Sequence, residues 1–395
     1  MAEFKNFPNK ANLASVWSLG FVSLFMDMSS ELIHSLLPIF MLSTLGLTVA
    51  SIGLIEGIVE GSAQILKLFS GALSDFFRKR KPLTLIGYGL SAMTKPFFPL
   101  ANSLAFILLS RFLDRTGKAI REAPRDALLG DIAPSHMRGA VFGLRQSLDT
   151  AGAVAGPLLA MVGMMVLADD VRLVLWIGAP FAVIAFLILL FGVHEPARHK
   201  DAKAHAYSLR NFRDIGTNYW ALLMIASLLS LARFSDAFLI LKAKASGLPL
   251  AMIPVVMVVM NIVYAVASYP AGIYSDRAAR KPVLSLGIMF LIVADLSLAL
   301  ANNLWTLFIG TILWGLHMGL SQGLLAAMVV DITPERLRGT AFGIFYCACG
   351  VAALISSVGA GLLWDHIGPA AIFLLGAVLS SVALLSLLFW RQKRH

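Results

Sequence analysis

The sequence predicts an all-α integral membrane protein, with twelve transmembrane helices arranged as two pseudo-symmetric six-helix bundles. Three observations predict it. The chain of 395 residues is 58% hydrophobic and only 14% charged, where a soluble chain carries about a quarter charged residues. Its mean hydropathy is +0.81, and apolar runs of about 20 residues, each long enough to cross a bilayer, recur along its length. The two halves also repeat one another.

In order, the apolar runs place six spans near 14–40, 49–73, 82–101, 103–124, 139–167 and 171–193. Six more follow near 218–243, 249–273, 282–301, 303–330, 339–364 and 369–390. The repeat supports this division. DIAPSHMRGAVFG begins at Asp131 and DITPERLRGTAFG at Asp331, an offset of 200 residues. The same offset sets LANSL at 100–104 against LANNL at 300–304, and GALSDFFRKRKP from Gly71 answers GIYSDRAARKP from Gly272. So long a period marks duplicated domains, since solenoid repeats are about 20–50 residues. The expected domains are an N-terminal bundle over 1–193, a linker over 194–217 and a C-terminal bundle over 218–395.

The net charge of +10 does not point to nucleic acid. Its basic residues sit in short clusters between apolar runs: RKRK at 78–81, the segment 198–213, Arg277 with Arg280 and Lys281, Arg336 with Arg338, and the tail RQKRH. Loops of opposite parity hold little beyond Arg172, Lys242 and Lys244. That bias puts the linker and both termini in the cytoplasm. Lys5 and Lys10 before an apolar stretch resemble a signal peptide, but no small-residue cleavage site follows and Asp27 and Glu31 interrupt the run, so an uncleaved first span is expected. Cys347 and Cys349, both in one apolar span, suit neither a disulfide framework nor a zinc site. No cofactor and no metal are expected, and the surroundings are lipid.

Between spans 2 and 3, G-x-L-x-D followed by basic residues resembles motif A of the major facilitator superfamily, read as Gly71, Asp75, Arg78 and Arg80. A second copy, Gly272, Asp276, Arg277 and Arg280, stands between spans 8 and 9, where that family repeats it. The resemblance covers nearly the whole chain and implies the family's fold and secondary transport, not enzymatic turnover. By position it also implies that Asp75 and Asp276 gate the cytoplasmic side, with Arg138 and Arg338 of the two R-G pairs as partners in that latch. GAVAGP in span 5, with Gly152, Gly156 and Pro157, is similar to the core of motif C, found in the family's antiporters. The two glycines that usually end that motif are Ala160 and Met161 here, and small-residue packing with a proline kink explains the same residues.

The charges within the spans are the informative feature. Span 4 reads RFLDRTGKAIREAPRD at 111–126, and its repeat in span 10 does without the charges: Arg111 faces Thr311, Asp114 Trp314, Arg115 Gly315 and Lys118 Met318. Counting about 1.5 Å per residue from Ser103, Arg115 lies about 18 Å into a core of ~30 Å. Arg121, Glu122, Arg125 and Asp126 lie near the helix end, where a solvated terminus with salt bridges accounts for them. Asp27, Glu31 and His34 share a face of span 1, Glu56 and Glu60 a face of span 2, and Lys95 lies in span 3. The second half offers Arg233, Asp236, Asn261 and Tyr264, with Asp295, His317 and Gln322.

Ionised groups facing lipid cost several kcal/mol by some measures, so these line a cavity or pair with one another. The chemistry suggests roles. Glu60 and Glu56, then Glu31 and Asp27, are candidate proton-coupling carboxyls. Arg111, Arg115, Lys118 and Lys95 are candidate anion-binding groups, completed by Arg233, Asp236, Asn261 and Tyr264. His34 and His317 read as polar pore or packing residues.

The reading is a proton-coupled secondary transporter of a small anionic or zwitterionic organic solute in a bacterial inner membrane, acting as a monomer. The alternatives are a multidrug or organic-cation antiporter, a siderophore transporter, and a sensor that keeps the fold without transporting.

Overall fold

A computed structural model describes residues 10–77, 80–195, 216–277, 280–334 and 337–390, with side chains given except at 10–11, 67–77, 135, 273 and 276–277. The motif A residues Gly71 and Asp75 therefore lie on helical backbone with their side chains outside the described set, as do those of Asp276 and Arg277. Arg78 lies outside the described residues, as does most of the expected linker.

The fold is all-α. Its helices are α1 (Lys10–Ile39), α2 (Val49–Phe77), α3 (Arg80–Thr94), α4 (Phe97–Leu100), α5 (Leu104–Ile132), α6 (Arg138–Val166), α7 (Val171–Gly192), α8 (Thr217–Ala232) and α9 (Ala237–Ala245). They continue as α10 (Val255–Arg277), α11 (Arg280–Ala299), α12 (Leu304–Ser321), α13 (Leu324–Ile332), α14 (Arg338–His366) and α15 (Pro369–Phe389). Three of the twelve spans are interrupted, which pairs α3 with α4, α8 with α9 and α12 with α13. Among the described residues ten spans are long and apolar enough to cross a membrane. The others are α3, only 15 residues long, and α5, whose charges break its apolar window.

Each interruption has a local cause. Pro96 cannot donate to a helix and disfavours helical backbone at Lys95, so span 3 breaks there. Gly323 takes a left-handed φ of 88° between α12 and α13. Between α8 and α9 no proline or glycine intervenes; the Ala237 amide donates to the Ser235 side chain at 3.3 Å instead of to a helical carbonyl. Span 4, expected to end near 124, runs on to Ile132 with Pro124 inside it.

The sequence repeat marks helix ends. Ser103 caps α5, its Oγ accepting from the Phe106 amide, and Asn303 caps α12, its Oδ1 accepting from the Thr306 amide at 2.9 Å. LANSL and LANNL are thus two copies of one cap. Asp131 and Asp331 have equally matched tasks: Arg80 Nη1 meets Asp131 at 2.6 Å, and Arg280 Nη1 meets Asp331 at 2.8 Å.

The chain forms two compact units, one of Met1–Leu37 with Leu66–His205 and one of Pro38–Ile65 with Ala206–His395. The first holds a core of Val16, Leu19, Val22, Met26, Tyr88 and Leu128 among others, with α3 packed on α5 and α7. In the second, α11 packs on α12 and α15, and α8 on α14 and α15. There the first turn of α2 is capped from α14: the Ala50 amide donates to Asp365 Oδ2 at 2.8 Å and the Val49 amide to Oδ1 at 3.3 Å. A carboxylate at a helix N-terminus satisfies open amides and complements the helix dipole.

Candidate functional site

The first unit gathers charge from α1, α5 and α6. Close backbone approach makes this possible. A side-chain carbon on Gly156 would stand 2.6 Å from the Met28 carbonyl oxygen, and one on Gly152 would collide with the Leu24 carbonyl. Glycine at both places lets α6 lie directly on α1, with Pro157 buried beside them. That is the packing use of the GAVAGP segment.

The contact sets Asp149 of α6 against Asp27 of α1, carboxyl to carboxyl in hydrogen-bond contact. Arg145, one turn earlier on α6, donates from Nη2 to Asp149 Oδ1 at 3.1 Å. Lys118 and Arg121 of α5 stand near enough to act on Asp27. One turn along α1, Glu31 Oε2 lies 3.8 Å from His34 Nδ1 and feels Lys118 and Arg115. Lys118 also lies 3.9 Å from Glu122. The cluster therefore joins Asp27, Glu31, Arg115 and Lys118 from the sequence-based set to Arg145 and Asp149.

Lys95 is engaged elsewhere. It is 0% exposed, and its Nζ donates to Asp114 Oδ1 at 2.9 Å and to Ser30 Oγ at 3.0 Å. Its charge is balanced inside a buried ion pair, as in the alternative that charges lock helices together. Arg111 is buried on the same helix as Asp114. Arg121 stacks on the Tyr88 ring at 4.6 Å. Arg125, also buried, bonds Asp126 at 3.0 Å and approaches Ser23 and Tyr88.

The remaining predicted residues belong to the second unit. Glu56 is buried on α2 and accepts a hydrogen bond from Ser235 Oγ at 3.1 Å; half-buried Glu60 follows one turn later. Ser235 stands in the α8–α9 break between Arg233 and Asp236, a discontinuous-helix setting of the kind that binds ions and substrates in transporters. Asn261 is buried and Tyr264 half-buried on α10. His317 is buried, its Nδ1 2.9 Å from the Gly287 carbonyl oxygen, which fits a packing role. Of the expected latch residues, Arg138 is exposed and Arg338 half-buried; Gly272 of the second motif A copy is exposed.

Sequence reasoning counts Arg145 and Asp149 among the deep charges of span 5 without giving them a role, and it leaves out Ser235. Arg145 and Asp149 stand four residues apart on one helix and pair at 3.1 Å. Only the glycine contact of α6 with α1 brings Asp27 to them.

Comparison with known proteins places this arrangement. The family model described as Major Facilitator Superfamily matches residues 19–263 and 237–395. An uncharacterized MFS-type transporter of Methanocaldococcus jannaschii is 33% identical over 98% of this chain and 97% of its own. The multidrug resistance protein MdtH of Salmonella arizonae is 24% identical over 84% of this chain and 82% of its own. Among solved structures, the nucleoside transporter NupG matches with a TM-score of 0.77 at 16% identity, covering 97% of this chain and 100% of that one.

Proposed function

The chain belongs to the major facilitator superfamily, and on that premise we propose that it is a proton-coupled transporter of a small organic anion or zwitterion across the inner membrane. Both termini are cytoplasmic in this reading, following the bias of basic loops. In this reading the protein exposes its site to the two sides of the membrane in turn and works as a monomer.

The observation that carries the proposal is the α1–α5–α6 cluster. Two carboxyls in hydrogen-bond contact favour sharing one proton, because joint ionisation sets like charges side by side. Asp27 and Asp149 are such a pair. The cluster itself sets three acids, Asp27, Glu31 and Asp149, among three cations, Arg115, Lys118 and Arg145. A proton on the pair leaves one positive charge over, and an anionic solute neutralises it. Proton and anion then bind together, with Arg115 and Lys118 as the anion-binding groups and Asp27 as the proton carrier. Glu56 and Glu60, with Arg233, Asp236, Asn261 and Tyr264, form the second unit's polar set in this scheme.

Thermal unfolding of the purified protein in detergent, against citrate, organic phosphates, ferric polycarboxylate siderophores and lipophilic cations, tests this. A ligand that binds only the folded state raises the midpoint with the logarithm of its concentration. The expected result is stabilisation by an anion, stronger at lower pH and lost in Arg115→Ala. The kinship to a multidrug resistance protein supports a second reading, multidrug transport, in which Asp27 and Glu31 would serve as counter-charges to organic cations. Stabilisation by lipophilic cations alone would select it.

A further inference from the structure

Asp295 stands apart from every group considered so far. It lies on α11, inside the second unit, and is 0% exposed. Neither carboxyl oxygen has a hydrogen-bond partner among the described residues. No salt bridge to Asp295 is found among the described residues. An ionised carboxylate so placed has no compensation and is very costly.

The repeat sharpens the point. The segment RKP stands at 80–82 and again at 280–282, and the same 200-residue register sets Asp295 on Lys95 and Trp314 on Asp114. In the first unit that slot holds the Lys95–Asp114 ion pair at 2.9 Å. In the second, the lysine has become a carboxyl and its partner a buried indole. The duplicated scaffold needs no carboxyl at this position, since it is filled there by a residue of opposite charge.

What Asp295 faces is specific. Its Oδ2 and the carbonyl oxygen of Ala232 lie 2.6 Å and 3.3 Å from the point where a side-chain carbon on Gly376 of α15 would stand. Ala232 is the last residue of α8, immediately before the break in the seventh span. The glycine leaves room for the carboxyl to reach the end of that half-helix. The carbonyls of a helix's last turn are open acceptors: a protonated carboxyl can donate to one, whereas a carboxylate is repelled by it. A metal ion would want several oxygens around it, whereas the α8–α9 break, α12 and α15 bring together the rings of Phe234, Trp314 and Phe373, with Phe234 5.5 Å from Trp314 and 5.3 Å from Phe373.

We propose that Asp295 is a proton-binding site of the second unit, distinct from the α1–α5–α6 cluster, which holds a proton against the end of α8 and exchanges it with solution. Among the described side chains, the charged and titratable groups on the elements packed around it are Tyr219 of α8, Arg233 and Asp236 at the α8–α9 break, Tyr264, Tyr269 and Tyr274 of α10, His317 of α12 and Asp331 of α13, with Arg280 and Lys281 at the start of α11 itself. His317 is tied to the Gly287 carbonyl by Nδ1. The inference does not depend on which carboxyl of the first unit couples to transport, nor on the solute.

Infrared difference spectroscopy of the full-length protein in lipid nanodiscs tests it. A carboxylic-acid carbonyl band is expected that shifts in heavy water, loses intensity as pH is raised, and disappears in Asp295→Asn. Asp27→Asn should leave this band in place, which separates the proposal from the reading of the first unit. Gly376→Ala, which presses a carbon onto Oδ2, should move the band or its midpoint; this arm uses a folded carboxyl even if Asp295→Asn misfolds. A band untouched by both variants overturns the proposal. So does one that persists unchanged at every pH, which would make Asp295 a sealed packing group, or one that answers to added Na+ at fixed pH.

Discussion

At the scale of residues, Lys95 and Asp114 show how a charge within a membrane span is made tolerable. Each satisfies the other at 2.9 Å, with Ser30 completing the ammonium's bonds. Removing one partner leaves an uncompensated buried charge, which costs roughly 3–5 kcal/mol. Asp114→Asn and Lys95→Met should each lower thermal stability by that order in detergent unfolding, and the double variant should recover much of the loss. If the double variant is as damaged as the sum of both singles, the pair is not the cause. The cluster around Asp27 predicts differently. Asp27→Asn takes over one side of the carboxyl pair without a titrating proton, so anion binding should persist and become insensitive to pH. Titration of anion-induced stabilisation between acid and neutral pH checks this.

At the scale of elements, helix ends carry much of the specificity. Asp365 of α14 caps α2 through the Val49 and Ala50 amides, and a cap of this kind contributes about 1 kcal/mol. Asp365→Ala should therefore destabilise by about that amount, read as a lowered unfolding midpoint. The Arg80–Asp131 and Arg280–Asp331 pairs repeat in register. Exchanging the two charges within a pair, as Arg80→Asp with Asp131→Arg, should restore transport that Arg80→Asp alone slows. Asp75→Asn should likewise slow turnover while leaving solute binding intact, and wild-type rates in that variant would remove Asp75 from the gate.

These elements also show what can be read without coordinates. The caps at Ser103 and Asn303 stand in the sequence as LANSL and LANNL, and the breaks at Pro96 and Gly323 carry their own signals. The break at Arg233–Ser235 has neither proline nor glycine, and the serine that stabilises it is an ordinary polar residue, so nothing marks it in advance. The partner of Lys95 was equally hidden: Asp114 sits on another helix, and only packing decides which of several deep charges meets it.

At the scale of the whole molecule, hydropathy and a 200-residue repeat were enough for the fold class, because bilayer thickness fixes span length and backbone satisfaction forces helices. The family follows from sequence kinship across nearly the whole chain. Function is less legible for a physical reason. Charges that bind solute, carry protons or lock helices use the same residue types, and their roles differ by a few ångströms of placement. The most direct measurement is therefore solute-dependent proton movement in proteoliposomes that trap a pH-sensitive dye, using the anion that stabilises the protein best. The account predicts that protons move with that solute in the wild type and fail to do so in Asp27→Asn, which still binds it. Solute transport that leaves internal pH unchanged, or equal proton movement in the variant, would contradict it.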